Sequence, residues 1–381
     1  MQRKLWGLAF GVFVLAGGAA NTFGASIDEL LSTIKAVGRE GQGNIEAQRA
    51  VRELSRQDAA VLPVILPAFD DANPLAANWL RGAFESIADR EVRGGKPLPA
   101  AELEAFVRDR AHNARARRMA FEWLTKVDPT AGDRLIPGML NDPSSELRRD
   151  AVGKLIAQAA ALSPEKQRDD AIRIYRDALR GATDKDQVDA IVGPLRKMGQ
   201  QVDLQKHFGF LTRWSVIGPF DNRGGKGFQE VYAPEKELKL DATYKGQLGD
   251  VRWETLKHTE DDYGMVDIAK AVQPYKGAVM YTTTQFLSPR RQNLELRLGT
   301  PNAWKLWING KLAFAREEYH RGTALDQYRV AVSFEAGKNT VLLKLCQNEQ
   351  KEDWAQDYKF QLRLCDATGT AVLSDEGAAQ R

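Results

Sequence analysis

Two kinds of hydrophobic pattern divide the chain. Up to about Met198 the apolar positions recur at helical spacing, and Pro and Gly fall between periodic segments: Pro63 and Pro67, Gly94-Gly95, Pro97 and Pro99, Pro129, Pro137, Pro143, Pro164. After the segment QVDLQKHFGFLTRWSVIGPFD, which ends at Asp221, the pattern turns to period-2 alternation. Strands are predicted at Trp214–Ile217 (ended by Gly218-Pro219), Trp253–His258, Ala278–Leu287, Leu294–Leu298, Trp304–Ile308, Lys311–Ala315, Tyr328–Phe334, Thr340–Leu345 and Tyr358–Leu364. Asn309-Gly310 supplies the two positive-φ positions of a type I′ hairpin turn. Gly337-Lys338-Asn339 marks the next tight corner. Such short, punctuated strands predict an antiparallel β-sandwich.

Within the helical half, a small residue, a core-type residue and an apolar residue three further on recur four times. They are Ala50-Val51-Leu54, Ala83-Phe84-Ile87, Ala120-Phe121-Leu124 and Ala151-Val152-Leu155, at offsets of 33, 37 and 31 residues. The i, i+1, i+4 spacing puts them on one helical stripe. ILPAFDDANPLAANWLRGAFESI and LIPGMLNDPSSELRRDAVGKLI share a short helix, an Asp/Asn-Pro corner and a second helix. This resembles a HEAT-type α-solenoid, with a non-repetitive bundle as the alternative. Trp79 and Trp123 fall on the core stripes. Solenoids bind proteins along an extended face, which implies a protein partner on the repeats.

WKLWINGKLAF, followed by EAGKNTVLLKL, is similar to the galactose-binding-like jelly roll, the sugar-binding fold of β-galactosidase-type hydrolases and many carbohydrate-binding modules. The wider order of helical repeats, HFGFLTRWSVIGPFDN and this β module resembles exported proteins of planctomycete-type bacteria, a likeness that brings no established function. The expected layout is a leader at 1–25, a HEAT-like α-helical repeat domain at 26–200, a jelly-roll β-sandwich at 201–366 and a flexible tail at 367–381.

The N-terminus reads as an export signal. Arg3 and Lys4 precede an apolar run from Leu5 to Leu15, and small residues follow to Ala25. The run is too short for a span of ~20 residues; an uncleaved anchor is the alternative. Expected cleavage leaves a periplasmic or secreted protein with no stable membrane span. Ser26–Lys206 carries 28 basic and 28 acidic residues, and the chain from His207 carries 24 and 23. Neither half has the surplus that phosphate neutralisation needs, so no nucleic-acid partner is expected.

Along Trp304–Ile308, Trp304, Leu306 and Ile308 share the core face, while Lys305 and Trp307 face outward. An outward Trp307 either stacks on a sugar or packs under a loop. Tyr319, His320 and Arg321 in one loop, after Glu317 and Glu318, and Trp354 and Tyr358 in another complete the candidate ligand set, because sugar recognition wants an aromatic platform beside planar polar groups. No HExxH, CxxC or G-x-S-x-G motif occurs; RGGKGF lacks a P-loop's Gly-Lys-Ser/Thr, and Gly41-Gln42-Gly43 lacks the third glycine of a dinucleotide fingerprint. No cofactor is expected. Asp221, Asn222, Asp262 and Asp326 are candidate calcium ligands without a motif to join them. Cys346 and Cys365 end separate strands; if those strands pair antiparallel, the cysteines lie at opposite ends, too far apart for a disulfide, and read as two buried free thiols. The leading expectation is an exported, non-catalytic binding or scaffold protein. The alternative is a polysaccharide-acting glycoside hydrolase or an accessory subunit of one.

Overall fold

The structure, a computed structural model, describes residues 25–163 and 166–375. The leader lies outside the described residues, apart from its last residue, Ala25. Helices fill the N-terminal half and antiparallel β-sheets the C-terminal half. The chain divides into two compact units, one up to Gly132 and one from Asp133.

The first unit holds α1 (Ile27–Lys35), α2 (Asn44–Leu54), α3 (Leu62–Ile65), α4 (Pro74–Arg93), α5 (Ala100–Arg108) and α6 (Ala114–Val127). Ser26 and Glu29 close a capping box at the start of α1. Two asparagines then do the same double task. Asn73 accepts from the Leu75 and Ala76 amides to cap α4, and its Nδ2 donates to Val37 O at 2.7 Å. Asn113 caps α6 through Arg115 N and Ala116 N, and donates to Phe69 O at 3.3 Å. Each cap thus satisfies orphan helix donors and ties its helix to a segment 36 or 44 residues earlier in the chain. The recurring stripe of small and core residues falls on the helices it predicts: Ala50 and Leu54, Ala83, Phe84 and Ile87, and Ala120, Phe121 and Leu124 are all buried. Trp123 is buried and Trp79 half-buried.

A short helix, α7 (Ala131–Leu135), leads into α8 (Ser145–Ala160), α9 (Arg168–Gly181), α10 (Lys185–Lys197) and α11 (Leu204–Phe208). Here Ala151 and Val152 of the fourth copy are buried and Leu155 is half-buried. These helices share a core with Phe208 and Phe210, against which Tyr263 and Leu325 pack. The division at Gly132 therefore precedes the helix-to-strand change near residue 200.

The strands are β1 (Ser215–Asp221), β2 (Thr243–Lys245), β3 (Asp250–Arg252), β4 (Glu254–Thr255), β5 (Val266–Asp267), β6 (Ala278–Ser288), β7 (Gln292–Gly299), β8 (Ala303–Ile308), β9 (Lys311–Arg316), β10 (Tyr328–Phe334), β11 (Gly337–Gln347) and β12 (Lys359–Cys365). One sheet has six strands in the order β4-β1-β6-β11-β8-β9, a second has four in the order β10-β7-β12-β5, and β2 pairs with β3. Apolar side chains of both larger sheets form one core: Met280 and Phe286, Trp304, Leu306 and Ile308, Val341, Leu343 and Leu345 meet Leu294, Leu296 and Leu298, Val330 and Val332, and Phe360, Leu362 and Leu364. Asn309 and Gly310 carry φ of 50° and 76°, as a type I′ turn requires. Asn339 braces the next corner, exchanging hydrogen bonds with Glu335 and accepting from Asn309.

Three expectations are corrected. Gly218-Pro219 does not end β1; a register shift between Ile217 and Phe220 absorbs it and pairing with β6 resumes. The cysteine-bearing strands β11 and β12 lie in different sheets rather than paired; Cys346 and Cys365 are free and buried. Residues 367–375 are not a loose tail. Val372 N donates to Leu364 O, Leu287 N donates to Ser374 Oγ, and Arg148 Nη1 donates to Thr370 Oγ1. The last six residues lie outside those described.

Candidate functional site

The outer face of the six-stranded sheet is covered by the chain's own segment 222–253. Trp307, Tyr281, Leu342, Cys346 and Ala303 point outward from the sheet and meet Phe228 and Val251, with Tyr232, Leu238, Tyr244 and Trp253 packed at the edges. Trp307 is only 7% exposed. Of the two roles open to it in the sequence, packing under a loop is the one the structure gives it. Tyr358 is 1% exposed and spends its hydroxyl on Leu345 O at 2.8 Å. Neither ring offers a face to a surface ligand.

Beneath this covering segment lies a fully buried cation that sequence reasoning missed. The Lys344 ammonium donates to Glu235 Oε1 at 2.7 Å, Glu230 O at 2.7 Å and Phe228 O at 3.3 Å, which occupies its three protons. The rings of Tyr232 and Tyr281 flank it at 5.5 and 5.6 Å, and the Tyr281 hydroxyl donates to the same Glu235 oxygen. Burial lowers the Lys344 pKa, with the Glu235 carboxylate opposing; burial also pushes the neighbouring Cys346 thiol up to about 12. That thiol is no nucleophile.

The remaining candidates gather in loops at one end of the same sheet. Trp354, 61% exposed, meets the His320 imidazole edge to face at 5.1 Å. His320 Nε2 lies 2.9 Å from Asn348 Oδ1, while Asn348 Nδ2 donates to Gln350 Oε1 at 2.8 Å, so the ring donates to the amide. Backbone bonds pin this arrangement: His320 N to Pro301 O at 2.6 Å, Gly277 N to Asn348 O and Asn222 N to Gly277 O. His320 holds a φ of 59°, uncommon for a residue with a side chain. Gln347 Nε2 donates to Ala355 O and Asp357 O, fixing the Trp354 loop to the end of β11. The Asn222 amide, wholly buried, donates to Gln347 O at 3.0 Å and to the Tyr319 hydroxyl at 3.2 Å. Tyr319 is thus a half-buried support, its pKa raised to about 12 by burial. Arg321 is exposed and, among the described residues, pairs with Glu318 at 3.4 Å. The loops therefore bring together Tyr319, His320 and Trp354, and add Asn348, Gln350 and Glu349, whose Oε1 accepts from Gly224 N at 2.7 Å. The polar run after β11, NEQKEDW, was the signal that could have pointed to them.

The four calcium candidates are dispersed. Asp221 pairs with Arg223, Asp262 with Arg196, and Asp326 with Arg297 and Arg363; Asn222 donates through Nδ2 as described, while its buried Oδ1 has no hydrogen-bond partner. Among the described residues no group of three or more His, Cys, Asp or Glu could hold a metal ion. Asp221 and Glu318, the carboxyl groups beside the loop cluster with altered acidity, are both lowered. Arg223 holds Asp221 at about 2, and Arg316 holds Glu318 low. A general acid needs the opposite shift. Among the described residues no helix is long and apolar enough to cross a membrane.

No family model matches the sequence, and no curated protein matches it. Among solved structures, a β-glucosidase from Kluyveromyces marxianus in complex with glucose is 10% identical at a TM-score of 0.27, covering 75% of this chain and 36% of that one. An anti-sigma factor domain-containing protein from Clostridium clariflavum is 12% identical at 0.24, covering 44% and 48%. A GH31 α-xylosidase from Xanthomonas citri is 12% identical at 0.21, covering 41% and 18%. The chain spans less than half the length of each, and likenesses this weak carry no argument about the site.

Proposed function

We propose that this is an exported, non-catalytic binding and scaffold protein. Its β module is a galactose-binding-like jelly roll that takes a glycan at the loop cluster around Trp354, and its helical half is a HEAT-like scaffold for a protein partner. The observation that carries the reading is the exposed Trp354 ring beside the His320–Asn348–Gln350 chain of hydrogen bonds. A sugar presents an apolar C–H face and directional hydroxyls; an indole platform next to an imidazole and two amides matches both. The covered outer face of the sheet directs a ligand to this end, since Trp307 has no free surface. Lowered rather than raised carboxyl pKa values beside the cluster favour binding over hydrolysis.

Calorimetry of the full chain against a glycan panel, with wild type and Trp354→Ala, tests the reading. Loss of a hot-spot aromatic should weaken binding by about 1 to 3 kcal/mol, with an unchanged melting temperature because the ring is exposed. Absence of binding across the panel, or equal affinity of the variant, removes the glycan role.

A further inference from the structure

On α4, α5 and α6 the exposed arginines, Arg115 apart, pair with an acid of the same helix, and α2 is the exception. In α4, Arg81 pairs with Glu85 at 2.9 Å and Arg93 with Asp89 at 3.0 Å; in α5, Arg108 pairs with Glu104 at 2.8 Å; in α6, Arg118 pairs with Glu122 at 2.8 Å. Lys35 reaches Asp71, and Arg90 and Lys96 share Glu91. The helical repeat makes the exception legible. Two residues before and two after the recurring small residue stand Arg81 and Glu85 around Ala83, and Arg118 and Glu122 around Ala120. Around Ala50 the same positions hold Gln48 and Arg52, so α2 has an arginine where α4 and α6 have the acid.

The result is a stripe. Ile45, Arg49 and Arg52 of α2 and Arg56 in the following turn are all exposed, on the side opposite the buried Ala47, Ala50 and Leu54. At 3.6 residues per turn Ile45, Arg49 and Arg52 lie within about 60° of one another and span roughly 10 Å, and Arg56 follows just past the helix end. Glu46 and Glu53 fall some 40 to 120° round the helix from these three. Among the described residues none of the three arginines has a carboxylate partner. A helix-dipole interaction accounts for one basic residue in the last turn; it does not account for Arg49 in mid-helix or for Ile45, 63% exposed, on the same line.

We propose that this stripe docks an acidic segment of a partner protein, with carboxylates at successive helical turns and an apolar residue over Ile45. Arginine rather than lysine suits this occupant, because the planar guanidinium pairs bidentately with carboxylates. The single isoleucine supplies a register mark that a diffuse polyanion would not use. Ser26–Gly132 holds 15 basic and 16 acidic residues, so the attraction is local to the stripe and not a property of the unit. The proposal rests on the scaffold reading only in placing a protein on the helices; it is independent of the glycan site.

The full chain is titrated into a labelled amphipathic peptide whose glutamates repeat at i, i+3 and i+7 with a leucine one turn away, and into a scrambled peptide of the same composition. Variants are Arg49→Gln/Arg52→Gln/Arg56→Gln, Ile45→Ser and, as a control on the same unit, Arg115→Gln. The expected result is preference for the ordered peptide and about tenfold weaker binding by the triple variant, the sum of three exposed pairs. Ile45→Ser should weaken binding and Arg115→Gln leave it unchanged, with circular dichroism identical throughout. Three results overturn the proposal: equal binding of ordered and scrambled peptides, equal binding by the triple variant, or the same arginine dependence with dextran sulfate or phosphatidylglycerol vesicles. A partner that cross-links to other helices while the peptide fails removes the stripe and leaves the scaffold reading standing.

Discussion

Lys344 shows how one residue can bind a long irregular segment to a sheet. Its strand alternates as expected, with Val341, Leu343 and Leu345 in the shared core and Leu342, Lys344 and Cys346 on the other face. A lysine on a strand's second face reads as solvated. Here it is wholly buried, because the segment from Phe228 to Glu235 closes over it with two carbonyls and one carboxylate. Desolvation makes such a pair a weak source of net stability, while leaving one partner alone is costly. Lys344→Met should therefore destabilise by about 3 to 5 kcal/mol, through the stranded Glu235, and Glu235→Leu on that background should recover most of the loss. Denaturant melts of the two single variants and the double variant check this; simple additivity of the single losses would show that the pair is not the latch. Trp307 shares this history: its direction was readable from the strand, its cover was not.

At the scale of elements, what could be read followed from short-range chemistry. Most of the longer strands emerged within a residue or two, because period-2 alternation and the Asn309-Gly310 turn are local signals, while the end of β1, the extent of β4 and the start of β11 were missed by three or four residues. Helix caps at Asn73 and Ser144 sit at the corners that the repeat comparison picked out. Hidden from the sequence were β2, β3, β5 and the covering segment: the strands are only two or three residues long, and Val266 of β5 and Phe228 of the cover meet residues about a hundred positions away. His207 belongs to this second class. It lies in the last turn of α11, and its Nε2 donates to Ala182 O at 3.0 Å. Burial lowers its pKa below the ordinary 6.5, Arg363 adds to the effect, and the Ala182 bond opposes it. The unfolded chain then binds the proton more readily than the folded one, so the stability is fully present above about pH 6.5 and is lost as pH falls through the folded value. Carboxylates with lowered pKa, such as Asp326, lose their contribution only below about pH 4. Between those limits His207→Gln, which keeps a donor for Ala182, should flatten the fall in melting temperature. An unchanged slope in that variant would assign the acid sensitivity elsewhere.

For the molecule as a whole, the question is where a self-sufficient β unit begins. The change of periodicity near residue 204 suggests a cut there, but the outer face of the four-stranded sheet argues for an earlier one. Arg363, wholly buried on β12, donates to Asp326 through two contacts of 2.6 Å, to Phe208 O at 3.2 Å and to Gly369 O at 3.1 Å. Arg297 shares Asp326 at 2.7 Å and Glu295 at 2.8 Å. Arg363, Arg297 and Asp326 stay largely dry because α11 and residues 367–375 cover them, and Phe208 and Phe210 in turn pack into the core of α8, α9 and α10. A fragment of residues 204–366 would expose that apolar surface, at about 1.5 to 3 kcal/mol for each large side chain, and would admit water to a buried ion cluster. A fragment of residues 133–375 keeps both. Only the longer one should unfold in a single cooperative transition with a sharp near-ultraviolet circular-dichroism spectrum; the shorter should show the broad melt and dye binding of a loosely packed state. Equal cooperativity and equal midpoints for the two would mean that α8–α10 lie on the β unit without supporting it, and that the ion cluster tolerates water.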